Sequence, residues 1–106
     1  NHPPREIAIL LYAAYKGEIL DNDQLLLLAE NIEYKSYEHA HKNFINFIIF
    51  KIKGIKRIEL AEMIKYHMLP SNNLSPFPIY SRIYLKELFK LGFRNSYYRL
   101  IDKYFH

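Results

Sequence analysis

The sequence predicts an all-α fold: a small bundle of five or six helices that ends in a helix-turn-helix-like hairpin. Three observations carry that expectation. Apolar residues recur at three- and four-residue spacing along most of the chain, the period of an amphipathic helix. Only three glycines occur in 106 residues, too few for a turn-rich all-β protein. Half the residues are hydrophobic and 16% are aromatic, enough to fill a core and too many for a disordered chain. The length predicts a single helical domain over residues 1–106, with a subdivision at the 71–78 loop as the alternative.

The elements follow in order. Pro3-Pro4 opens a first helix, because proline suits the first turn. Ile7, Leu10, Leu11, Ala14 and Tyr15 form its apolar stripe, and Gly17 is expected as its C′ residue after Lys16. Asp21-Asn22-Asp23 is an N-cap cluster for a second helix, Gln24 to about Asn31. Leu25 to Leu28 make that helix apolar on most sides, so it is expected at the centre of the core. Tyr34 to Tyr37 reads as a connection, with Ser36 as a candidate N-cap. Glu38 to Lys53 admits two readings. As a helix, Phe44, Phe47, Ile48 and Lys51 share a face; as a strand, Phe50-Lys51-Ile52-Lys53 alternates with period two. The helix to about Phe50, with a turn at Gly54, is the preferred reading. Ile58, Ala61, Met63, Ile64 and Met68 mark a fourth helix that Pro70 stops. "LPSNNLSPFPIY" is loop-like. A fifth helix runs Ser81 to Leu91, and Asn95-Ser96 is expected to cap a sixth, Tyr97 to Phe105.

Composition excludes several function classes. There is no cysteine, so disulfides and thiolate metal sites are ruled out, and the absence fits a reducing compartment. Apolar runs are short, so no membrane partner is expected. The opening Asn1-His2-Pro3-Pro4 is neither a signal peptide nor an initiator sequence, and the chain is read as an excised or processed piece. No Ser-His-Asp order, glycine-rich phosphate loop or metal motif is legible, so the expectation is a non-enzyme with no cofactor and no small-molecule substrate. Asp21 and Asp23 read as caps rather than as paired catalytic carboxylates. Glu38, His39 and His41, with His67 elsewhere, would need to converge to hold zinc. On a helix His39 and His41 point to different faces, so no metal site is expected.

Charge is distributed unevenly. Residues 1–48 hold four Lys/Arg and seven Asp/Glu, a net −3, while residues 49–106 hold eleven and four, a net +7. A basic half favours a polyanion partner; ordinary solvated faces are the plain alternative. Arg82, Lys86 and Lys90 are four apart and form one stripe on the fifth helix, opposite Tyr84, Leu85, Leu88 and Leu91. On the sixth, Tyr97, Leu100, Ile101 and Tyr104 have core spacing while Arg99 and Lys103 project. These cations could neutralise the phosphates of double-stranded DNA. Arg94, Asn95 and Tyr98 sit near the start of the sixth helix, where a helix-turn-helix protein reads base edges, with Asn95 and Tyr98 as base readers. Gly92 sits at the turn. Leu88 stands where such motifs usually hold a small residue, and Glu87 where an apolar one is expected. Lys51, Lys53, Lys56 and Arg57 form a second basic cluster around Gly54, a candidate phosphate nest. A second expectation is a protein partner or self-association, through the acidic N-terminal hairpin and a tyrosine patch at Tyr12, Tyr15, Tyr34 and Tyr37.

Three segments, in order, resemble the region ahead of the nuclease domain in Harbinger-type transposases and their domesticated relatives. "ILLYAAYKGEILDNDQLLLLAENIEYKSYEHA" is similar to that family's leucine-rich helix pair around an acidic turn. "FKIKGIKRIELAEMIKYHMLP" matches its next element at Phe50, Ile52, Leu60, Ala61, Glu62, Ile64 and Pro70. "YLKELFKLGFRNSYYRLIDKYF" resembles its helix, Arg/Tyr turn and second helix. The resemblance implies a DNA-associated, non-catalytic helical region, intracellular and nuclear. The family's catalytic carboxylates belong to a later domain, so no catalytic residue carries over. "LPSNNLSPFPIY" is shorter and richer in proline than the family's connector, and His106 stands where the family has a glycine. Two placements of the reading helix stay open: beyond Phe105, as the family implies, or Tyr97 to Phe105 itself.

Overall fold

The computed structural model describes residues 3–32, 39–68 and 78–104. These residues form six α-helices and no strand. The chain divides into two compact units, Asn1–Ile55 and Lys56–His106, each with three helices. The division falls just after Gly54. The alternative expected at residues 71–78 falls almost wholly outside the described residues, as do Ser36, the Tyr34–Tyr37 connection, Glu38, Pro70, Phe105 and His106.

In the first unit, α1 (Pro4–Lys16), α2 (Asn22–Glu30) and α3 (His39–Lys53) pack on one another. The two readings of residues 39–53 resolve as helix. Ala40, His41, Phe44, Ile45, Phe47, Ile48 and Ile52 of α3 are all buried, a face as wide as a central helix needs and one that a strand would have split between two sides. Tyr12 of α1 meets Phe44 at 5.7 Å between ring centres, and Phe44 meets Phe47 at 5.9 Å. The α1 stripe is rotated from the expected one. Ala8 and Leu11 are buried, whereas Leu10 is 59% exposed. The second helix is peripheral, not central. It turns Leu25 and Ala29 inward and leaves Leu27 and Leu28 61% and 44% exposed. At nine residues it can bury only one face against its two neighbours.

Helix ends follow side-chain chemistry. Asp21 caps α2 in a reciprocal box: its carboxylate accepts from the Gln24 N–H at 2.8 Å, and the Gln24 side chain accepts from the Asp21 N–H at 3.0 Å. Gly17 is not the left-handed residue after α1. It keeps a helical φ of −81°, and Glu18 takes the positive φ, 53°. The Gly17 N–H still bonds the Ala13 carbonyl, so the helix runs one residue longer than expected. The N–H groups of Glu18 and Ile19 then return to the carbonyls of Tyr15 and Ala14, the Schellman pattern. The same pattern closes α3 at Gly54 (φ 77°), with the Gly54 and Ile55 N–H groups bonded to Lys51 and Phe50.

In the second unit, α4 (Arg57–His67) and α6 (Arg94–Tyr104) each pack on α5 (Pro78–Lys90). Helix α4 buries Leu60, Ala61, Ile64 and His67, and leaves Ile58 62% exposed. Helix α5 buries Tyr80, Ser81, Tyr84, Leu85, Glu87 and Leu88. Leu88 and Glu87, the two residues that fit a DNA-reading motif poorly, both belong to this core.

Glu18 is the one non-glycine residue with positive φ among those described. A Cβ in that conformation costs roughly 1–2 kcal/mol, less what glycine loses in chain entropy. Glu18→Gly is therefore expected to stabilise the protein by about 0.5–1 kcal/mol, read as a raised midpoint in urea unfolding.

Candidate nucleic-acid interface

The turn from α5 to α6 is built around Gly92, whose φ is 95°. The N–H groups of Gly92 and Phe93 return to the carbonyls of Phe89 and Leu88 at 3.0 and 3.2 Å, closing α5 in a third Schellman turn. Arg57, on α4, completes it. Its guanidinium donates to the Leu91 carbonyl and lies 4.8 Å from the centre of the Phe93 ring. A cation at a helix C-terminus satisfies an orphan carbonyl and the dipole together. A side chain at residue 92 would meet this arginine, since a Cβ there would stand 3.3 Å from the guanidinium.

Helix α6 starts at Arg94, three residues earlier than expected. The Tyr97 N–H bonds the Phe93 carbonyl at 3.0 Å, which puts Phe93 at the cap and Asn95-Ser96 inside the first turn. Tyr97, Leu100 and Ile101, expected in the core, are only half-buried, because α6 lies along the surface of α5. Arg94, Asn95, Tyr98, Arg99, Asp102 and Lys103 are exposed. At 100° per residue the first five fall within one 140° arc of the helix; Lys103 sits just beyond its edge.

On α5, Arg82, Lys86 and Lys90 are exposed on one stripe, as their spacing predicts. Between this stripe and α6 lies an open groove of about 670 Å³. Leu85, Phe89, Tyr97 and Ile101 form its floor, and the three cations line its edge. Phe89 and Tyr97 meet edge-on at 5.0 Å, and Arg94 lies over the Phe89 ring at 4.9 Å. The cationic stripe of α5 and the outer face of α6 thus flank one apolar trough, with Arg94 at the join. Sequence reading missed this trough. Phe89 falls at the edge of the basic stripe, about 20° beyond Arg82 at 100° per residue, and an aromatic ring at that margin is its only sequence signal.

Around Gly54 two of the N–H groups that a phosphate nest would use are already taken. A nest needs unsatisfied N–H groups, and those of Gly54 and Ile55 already bond carbonyls of α3. Lys51 and Lys53 end the first unit, while Lys56 and Arg57 begin the second. Arg57 is held by the Leu91 carbonyl and Phe93, so its role is structural. His39 is exposed and His41 buried on the same helix, and His67 belongs to the other unit. No group of three metal-ligating side chains gathers among the described residues. Of the tyrosine patch, Tyr12 and Tyr15 are half-buried, and burial raises their hydroxyl pKa values. Among the described residues no helix is long and apolar enough to cross a membrane.

No family model, curated protein or solved structure matches this chain.

Two expected outcomes follow from this unit. Arg57→Ala removes a charged hydrogen bond and a ring contact, and is expected to cost about 1–3 kcal/mol in urea unfolding, with Arg57→Lys recovering only part. His67, 5.6 Å from the Tyr84 ring, is pushed by burial from 6.5 to about 4. Its folded form resists a proton that the unfolded chain accepts, so stability is full above pH 6.5 and falls as the pH drops towards 4. The loss is on the order of 2–3 kcal/mol, measurable by urea unfolding across that window, and His67→Gln should flatten it. Proton NMR of the ring should show a titration midpoint well below 6.5.

Proposed function

We propose that this chain is a non-catalytic DNA-binding module, and that its second unit contacts duplex DNA through α5 and α6. The observation that carries the reading is the exposed face of α6, on which Arg94, Asn95, Tyr98 and Arg99 stand together, across the apolar trough from the α5 stripe. The first turn of a surface helix, with its dipole positive outward, is suited to the major groove. Asn95 has the donor–acceptor pair that reads adenine, and Arg94 and Arg99 can read guanine or hold phosphate. Arg82, Lys86, Lys90 and Lys103 would add phosphate contacts. The second unit carries nine Lys/Arg and four Asp/Glu, a net +5, against −1 for the first. That favours a polyanion for the second unit alone.

The resemblance to the pre-nuclease region of Harbinger-type transposases belongs to the same proposal, as does a nuclear location. Of the two placements of the reading helix, α6 has the exposed polar face that reading requires. Arg57 is left out of the phosphate set, because the Leu91 carbonyl and the Phe93 ring already hold it; Lys51, Lys53 and Lys56 stay secondary candidates. The protein-partner reading is favoured by a separate observation, the apolar floor of the groove, which phosphate contacts leave unused.

Fluorescence anisotropy with random and selected duplexes tests the proposal. Affinity should fall steeply with salt, and Lys86→Glu/Lys90→Glu should weaken binding about tenfold or more with a shallower salt slope. Asn95→Ala should lower the preference for the selected duplex over the random one. Binding that is undetectable at low salt, or is indifferent to the double charge reversal, would refute the reading.

A further inference from the structure

We infer that the α5–α6 groove is a docking site for a second copy of this chain, and that α2 is the element it receives. Groove and helix are complementary in shape class, polarity and charge. The groove offers aromatic and aliphatic side chains, Phe89 and Ile101 among them, beside a row of three cations. Apolar surface of this kind next to one sign of charge selects an amphipathic segment of the opposite sign.

Helix α2 is such a segment. It carries Asp23 and Glu30 and no basic residue, and the acidic cap Asp21 precedes it. Its solvent face presents two large apolar side chains, Leu27 at 61% and Leu28 at 44% exposure. Asp23, Leu27 and Glu30 stand at i, i+4 and i+7, so Leu27 sits on a ridge with an acid one turn to either side. At 1.5 Å per residue the two acids are roughly 10 Å apart along the helix, and Arg82 and Lys90 are roughly 12 Å apart along theirs. The spacings match closely enough for Leu27 to enter beside Phe89 while both acids meet the stripe. The 670 Å³ of the groove accommodates the leucines of one turn. Each copy owns one ridge and one groove, so the contact can close as a reciprocal dimer or continue as a chain. The inference does not rest on DNA binding and uses a different face of α6.

A contact of one short helix in one groove falls in the weak, transient class of interfaces and is sensitive to salt, so association is sought at chain concentrations of about 0.1 mM or more. Sedimentation equilibrium without DNA is the test, at low and high salt. The wild-type chain should associate at low salt and dissociate at high salt. Leu27→Asp, at an exposed position, should abolish association, as should Lys86→Glu/Lys90→Glu, with both variants keeping wild-type circular dichroism. Mixing the two variants should restore a complex of two chains, because the first has an intact groove and the second an intact ridge. A wild-type chain that stays monomeric at low salt at that concentration would overturn the inference. So would a mixture that stays monomeric, or single variants that assemble as the wild type does. A self-satisfied groove, or one meant for another protein, would give the first of these results. Leu27→Asp should leave DNA affinity unchanged, and Asn95→Ala should leave association unchanged, so this inference and the DNA reading can fail separately.

Discussion

The left-handed turn at Gly92, held by Arg57, is the constraint on which the α5–α6 surface depends. Gly92 turns the chain between α5 and α6, and the guanidinium bonds the Leu91 carbonyl that the turn leaves beyond the end of α5. Because Arg57 belongs to α4 and stacks on Phe93 at the head of α6, one side chain ties all three helices of the second unit to a single corner. The direction of α6, and with it the separation of the α5 stripe from the outer face of α6, is set there.

That corner explains why α6 holds its place with so little burial. None of its described side chains is fully buried, so packing alone would hold it loosely. The Phe89–Tyr97 edge contact and the Arg94–Phe89 stack add two further ties. Both leave polar groups outward and apolar groups half-exposed. The outcome is a surface with two chemistries, a cationic and amide-bearing rim and an aromatic trough. The first is the surface proposed to meet nucleic acid and the second the one proposed to receive a helix.

The first unit is organised differently. A single helix, α3, supplies most of the buried side chains, and α1 and α2 lie against it with one face each. Economy of contact there leaves Leu10, Ile19, Leu27 and Leu28 exposed. On α2 these leucines lie among acids and without a base, the inverse of the α5–α6 trough. The charge asymmetry between the units thus has a local counterpart in two particular faces.

The sequence by itself determined the helical class, a count of five or six helices and their approximate positions, with several ends, such as the start of α5 at Pro78 rather than Ser81, displaced by two or three residues. These depend on local chemistry: the 3.6-residue period, Asp21 with Gln24, the prolines at Pro3-Pro4, and the glycines at 54 and 92. The α5 stripe was legible for the same reason, since residues four apart on one helix share a face whatever surrounds it. Local chemistry could not decide which apolar residues stay outside. Leu27 and Leu25 have the same side chain, and only the positions of α1 and α3 bury one and expose the other. It could not separate Arg57 from its basic neighbours either, because its partners lie 34 and 36 residues further along the chain. The start of α6 was misplaced by the capping propensity of Asn95-Ser96, which lost to the carbonyl of Phe93 once the turn at Gly92 had set the path of the backbone. The groove is wholly a tertiary product: its floor draws on two helices, and its existence depends on the angle at which one corner joins them.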